Sequence, residues 1–141
     1  MSKMIPKKHR QKNAEILHNF LINCDSLDIV VNEKELGSAI FLNVPYEMKD
    51  IEYNDEKHYE LKIFWKNAEA IEGDIQIAGL PTTPFLTQYT VFRKNGDYLC
   101  LNTGGGYRYC IYIQMFKSDS DKSHKCKVEK VLSEYREAII H

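Results

Sequence analysis

The sequence predicts an α+β domain, and three observations carry that expectation. Apolar residues recur at helical spacing near both ends, strand-type alternation fills the middle, and turn signals punctuate the alternating part. The expected architecture is a single domain with a mostly antiparallel β-sheet of about five to seven strands, and an N-terminal and a C-terminal helix packed on it. A chain of 141 residues is long enough to bury roughly two thirds of its unfolded surface in one core, so no metal or disulfide is needed to hold it.

The N-terminus is basic. Residues 1–9 are expected to form a flexible arm, because Pro6 discourages an earlier helix and Lys3, Lys7 and Lys8 favour water. From about Arg10 to Asp25, the residues Ile16, Leu17, Phe20, Leu21 and Cys24 make one apolar stripe, the pattern of a docking helix. His18 lies off its centre, where a histidine serves packing or the surface. Leu27 to Val31 and Ser38 to Val44 are β-branched runs around the polar NEKELG, which predicts a strand pair with a longer loop. Pro45 has no amide hydrogen for a ladder and ends the second strand.

Tyr46 to Glu60 is the most biased segment, rich in acids and tyrosines, and its first part is expected to be an exposed loop or irregular edge. Tyr59 to Lys66 then alternates cleanly, with Tyr59, Leu61, Ile63 and Trp65 on the apolar side. NAEAIEG fits either a turn of helix or a hairpin connection, Ile75 and Ile77 are offered to the core, and PTTP interrupts pairing.

Leu86 to Phe116 reads as three strands joined by two hairpins. Asn95-Gly96 marks the first turn, since both residues tolerate positive φ. A second turn centred on Gly105 sets Leu99 opposite Ile111, Leu101 opposite Tyr109 and Cys100 opposite Cys110. Leu99, Leu101, Tyr109, Ile111, Ile113 and Met115 then form the core face, and Tyr98, Cys100, Cys110, Tyr112 and Phe116 lie on the other beside Arg93 and Arg108. After a polar loop, Val128, Val131, Leu132, Tyr135 and Ile139 give the stripe of a last helix from about Ser123 to Ile140.

A net charge of -1 with a hydrophobic fraction of 43% argues against a nonspecific nucleic-acid binder. There is no apolar segment behind the basic N-terminus and no membrane-spanning stretch, so a cytoplasmic location is expected. The dispersed Cys24, Cys100, Cys110 and Cys126 then read as reduced thiols. Templates for chemistry fail in turn. The TGGG run from Thr103 to Gly106 lacks the lysine and helix of a phosphate loop, and His124-Lys125-Cys126 has no second ligand pair. No catalytic residue, metal or cofactor is expected.

Two functional readings stand. In the first, Tyr46, Glu47, Asp50, Glu52, Tyr53, Asp55, Glu56 and Tyr59 form a docking surface for a basic protein such as a nuclease toxin, acids steering the encounter and rings supplying contact area. That is the behaviour of an inhibitor or immunity protein. In the second, a small enzyme or anionic-ligand-binding domain uses the sheet face with Arg93, Tyr98, Arg108 and Tyr112.

Overall fold

A computed structural model describes residues 4–73, 80–103 and 110–118, together with Lys130 and Ser133. Helix α1, Lys7–Leu21, begins earlier than the sequence suggests. Pro6 starts the helix instead of delaying it: its fixed φ suits the entry, and its carbonyl accepts the amides of His9 and Arg10 at 2.9 and 3.1 Å. The preceding Ile5 is buried and donates its amide to the Gln88 carbonyl at 2.7 Å, so the described end of the basic arm is docked. The buried side of α1 is Arg10, Asn13, Ala14, Leu17, Phe20 and Leu21, a stripe that is apolar at one end and polar at the other.

Strands β1, Leu27–Glu33, and β2, Gly37–Val44, form the expected antiparallel pair. The segment expected to be a loop is instead a regular hairpin of β3, Tyr46–Tyr53, and β4, Glu56–Ile63. Its turn is Asn54-Asp55, with φ of 50° and 62°, the left-handed pair that a type I′ turn demands. A short 3-10 turn, Trp65–Asn67, leads to β5, Glu69–Gly73, which pairs with β2. The remaining strands are β6, Phe85–Leu86, β7, Arg93–Asn95, β8, Tyr98–Asn102, and β9, Tyr112–Lys117.

These strands make a six-stranded sheet in the order β5-β2-β1-β9-β8-β7 and a three-stranded sheet in the order β3-β4-β6, with antiparallel pairing throughout. One apolar cluster joins them: Leu17, Phe20 and Leu21 of α1, Ile29 and Val31 of β1, Phe41 of β2, Leu99 and Leu101 of β8, Ile113 and Met115 of β9, and Tyr59, Leu61 and Ile63 of β4. Val30, Ile40 and Phe116 form a smaller buried cluster on the opposite face of the six-stranded sheet.

Three expectations for the central hairpins are corrected. The first strand does not run continuously from Leu86, because Thr87–Tyr89 turn and Thr90 donates back to the Leu86 carbonyl at 2.9 Å. Asn13 holds this turn, donating to the carbonyls of Thr87 and Thr90 and accepting the Phe92 amide at 2.7 Å. The β7–β8 turn is Gly96-Asp97 instead of Asn95-Gly96, since Asn95 already pairs with Tyr98 and only Gly96, at φ 61°, is left-handed there. The pairing of β8 with β9 also lies further along: Leu99 faces Met115, Cys100 faces Gln114 and Leu101 faces Ile113. Thr103 closes the longer connection, bonding Ile111 through its amide and its hydroxyl at 2.9 and 2.8 Å. The slip is an even number of residues, so Leu99, Leu101, Ile111, Ile113 and Met115 keep their shared buried face.

Cys100 and Cys110 therefore do not face one another, and Cys24, Cys100 and Cys110 are free thiols. Among the described residues α1 is the one continuous α-helix. The expected C-terminal helix lies outside them, apart from Lys130 and Ser133, which are helical. Ile75, Ile77, Gly105, Arg108, Tyr109 and Cys126 also lie outside the described residues. No helix among the described residues is long and apolar enough to cross a membrane.

Candidate docking hairpin

The β3–β4 hairpin uses its two ends differently. At its base, Tyr46 and Met48 lie opposite Ile63 and Leu61 and pack on the shared core. The Tyr46 hydroxyl donates to the carbonyls of Cys24 at 2.5 Å and Leu21 at 3.2 Å, tying the base of the hairpin to the turn that follows α1. Burial pushes the titration of that hydroxyl well above the ordinary tyrosine range, so it stays a donor. Tyr59 is also internal, stacked on His18 with ring centroids 5.1 Å apart. Two of the three expected aromatic anchors thus serve the fold.

At the tip, the anchoring is polar. Arg10 Nε meets Glu56 Oε2 at 2.8 Å, and Glu56 Oε2 is 2.9 Å from His58 Nε2. His58 Nδ1 lies 3.1 Å from Thr87 Oγ1, which also accepts the Tyr59 amide at 3.0 Å. With the Thr87 hydroxyl donating to Nδ1 and the Nε2 proton donated to Glu56, each proton in the chain has an acceptor. Tyr53 completes the group, its ring 5.3 Å from the Arg10 guanidinium and edge-on to His58. Hydrogen bonds from Arg10 and then His58 pull the Glu56 carboxyl down to about 2, despite the opposing effect of desolvation.

The order hydroxyl, imidazole, carboxylate has the layout of a nucleophile relay, but Thr87 and His58 are both 0% exposed. No substrate reaches that hydroxyl, so the chain of bonds ties α1, the hairpin and the Thr87 turn together. Sequence reading missed this group because its members are distant in the chain and each has an ordinary surface role. The Asn54-Asp55 dipeptide was the available signal for the hairpin itself.

What remains outward on the hairpin is charge. Glu47, Asp50, Glu52 and Asp55 are exposed. Lysines thin this acidity: Glu47 lies opposite Lys62, Glu60 opposite Lys49 and Glu52 opposite Lys57, with contacts of 3.5 Å between Lys49 and Glu47 and 3.6 Å between Lys57 and Asp50. The acids still outnumber the lysines, and Glu56 is withdrawn from them into its bond with Arg10.

The alternative site is partly dismantled by packing. Arg93 is exposed, but the Tyr98 ring leans on Phe116 at 5.1 Å and its hydroxyl accepts from Asn95 at 2.8 Å. Tyr112 is half-buried, and burial followed by a hydrogen bond with Cys100 pushes its hydroxyl upward in pKa. A better opening for a ligand lies past the end of β4, where Lys62, Phe64, Lys66, Asn67 and Thr82 line a cleft of about 730 Å³. There the Lys62 ammonium sits 5.4 Å from the Phe64 ring centroid. Comparison with protein families, curated proteins and solved structures finds no match to this chain.

Proposed function

We propose that this protein is a small cytoplasmic binding module of the inhibitor or immunity type, which neutralises a basic protein such as a nuclease toxin through the exposed acids of its β3–β4 hairpin. The observation that supports this most is the exposure of Glu47, Asp50, Glu52 and Asp55 on a hairpin whose tip is fixed by the Arg10, Glu56 and His58 bonds. A fixed acidic ribbon loses little conformational freedom on binding and speeds encounter with a cationic surface. Tyr46 and Tyr59 are committed to the fold, so contact area comes from the half-buried Ile51 and Tyr53.

The test uses a basic protein recovered on the immobilised full chain, followed by its binding kinetics. Glu52→Lys with Asp55→Lys should slow association by about tenfold at low salt and flatten its salt dependence. Unchanged association rates would remove the docking reading. A second reading, binding of a small organic anion, is favoured by Lys62 and Lys66 at the cleft beside Phe64. It expects Lys66→Ala to weaken binding of an aromatic carboxylate or phosphate and the hairpin substitutions to be silent.

A further inference from the structure

Among the described residues the two sheets have four edges, and these are not alike. Edge strand β7 has 3 residues and edge strand β6 has 2, too short to template another chain. Edge strand β5 has 5 residues, and its partner ladder is interrupted between Ile40 and Phe41. The fourth edge, β3, has 8 residues, all in unbroken register with β4. No proline interrupts it, none of its residues is buried, and its other side pairs with no strand among the described residues. A long, regular edge that pairs with no described strand presents its outward amides and carbonyls at strand spacing.

We infer that the partner binds by adding a strand along β3, and that the added segment alternates basic with apolar residues where it lies beside Asp50–Tyr53. This inference rests on the hairpin being the docking surface, and it specifies how. Asp50 and Glu52 share one face of β3, while Ile51 and Tyr53 share the other. A strand laid beside them sets its own alternate side chains next to each set, so lysine or arginine fits the first face and a branched apolar residue the second. A second copy of this chain fits less well. Antiparallel pairing of two β3 edges sets residues of the same face opposite one another, so its two longest registers put Lys49 opposite Lys49 or Asp50 opposite Asp50, a like-charge pairing.

The probe is a blocked peptide of alternating lysine and valine, as long as β3, titrated into the isotope-labelled full chain. The expected result is amide shift changes and slowed amide exchange concentrated in Tyr46–Tyr53. Two further peptides carry the same charge but are N-methylated at every valine or at every lysine. Strand addition tolerates at most one of them, so the other should lose affinity by about tenfold or more. If both methylated peptides bind like the parent, the main chain is not used and strand addition is wrong, while docking through the acids stands. If the parent does not bind, or if the free protein dimerises through β3 in solution, the inference is overturned, and the kinetics of the lysine variants still judge the docking reading separately.

Discussion

The six-stranded sheet and the β3–β4 hairpin are held by opposite means. In the sheet, β1, β8 and β9 each turn alternate apolar side chains into one cluster, and Ile29, Val31, Leu99, Ile113 and Met115 are almost wholly buried. The hairpin shares that cluster only at its base, and its far end is fastened to α1 by Arg10, Glu56, His58 and Thr87. Apolar burial is non-directional and tolerates small shifts, whereas a hydrogen-bonded chain fails when one member is removed. The sheet supplies stability in bulk. The hairpin trades some of it for a charged strand held in a defined place.

The comparison breaks most sharply in the core. Phe41 is 1% exposed and meets Trp65 edge-on with ring centroids 5.6 Å apart. Phe41→Ala should cost about 3 to 5 kcal/mol, measured by urea unfolding, through lost burial and the cavity left behind. A cost below about 1 kcal/mol would mean that the sheet does not carry the fold in this way.

The next effect separates the hairpin from the sheet by pH. An unfolded glutamate titrates near about 4.3, whereas folded Glu56 is held at about 2 by Arg10 and His58. A depressed carboxylate pKa contributes stability that is complete above the unfolded value and lost as pH falls toward the folded one. Stability of the parent should therefore drop between about pH 4 and about pH 2, and Glu56→Gln should lack that component while being less stable at neutral pH. Parallel stability curves for the two proteins would show that the Arg10–Glu56 contact adds nothing.

Legibility followed the same division. Leu27–Val31 and Ser38–Val44 were readable as β-branched runs, and the faces of β8 and β9 because alternate residues there are apolar, which an even slip in register left intact. In the hairpin, β4 was readable from Tyr59 to Ile63 by its alternation, but β3 was not. Along β3 the apolar residues change sides, Tyr46 and Met48 at the base and Ile51 and Tyr53 toward the tip, so no single stripe appears. The start of α1 failed for a related reason: Arg10 and Asn13 are buried by their bonds to Glu56 and the Thr87 turn, and no composition rule marks a polar residue that folding will pair. The candidate site was half legible. Its acids are exposed as expected, but Tyr46, Tyr59 and Glu56 are spent on internal contacts.

Thr87→Val sharpens the polar side of the comparison, because it changes little in volume. Its methyl replaces an oxygen that accepts the Tyr59 amide at 3.0 Å and lies 3.1 Å from His58 Nδ1, both in buried surroundings. Leaving that amide and imidazole unsatisfied should cost about 1 to 3 kcal/mol in thermal or urea unfolding. Amide exchange should quicken at Tyr59 before it quickens in β1 or β9. Uniform acceleration across both sheets would mean that the two regions open together.

The smallest effect is expected on the hairpin's solvent side. Lys57 and Asp50 approach to 3.6 Å, but their side chains are 62% and 70% exposed, so water screens the pair and holding two mobile chains together offsets the attraction. Lys57→Ala should shift stability by no more than about 0.5 kcal/mol. It also removes a positive charge opposite Glu52, which makes the β3 side of the hairpin more acidic. Association with a basic partner should then quicken, with a steeper salt dependence, while unfolding is nearly unchanged. A large loss of stability would mean that the exposed charges hold the hairpin together, and a slower association would mean that Lys57 itself contacts the partner.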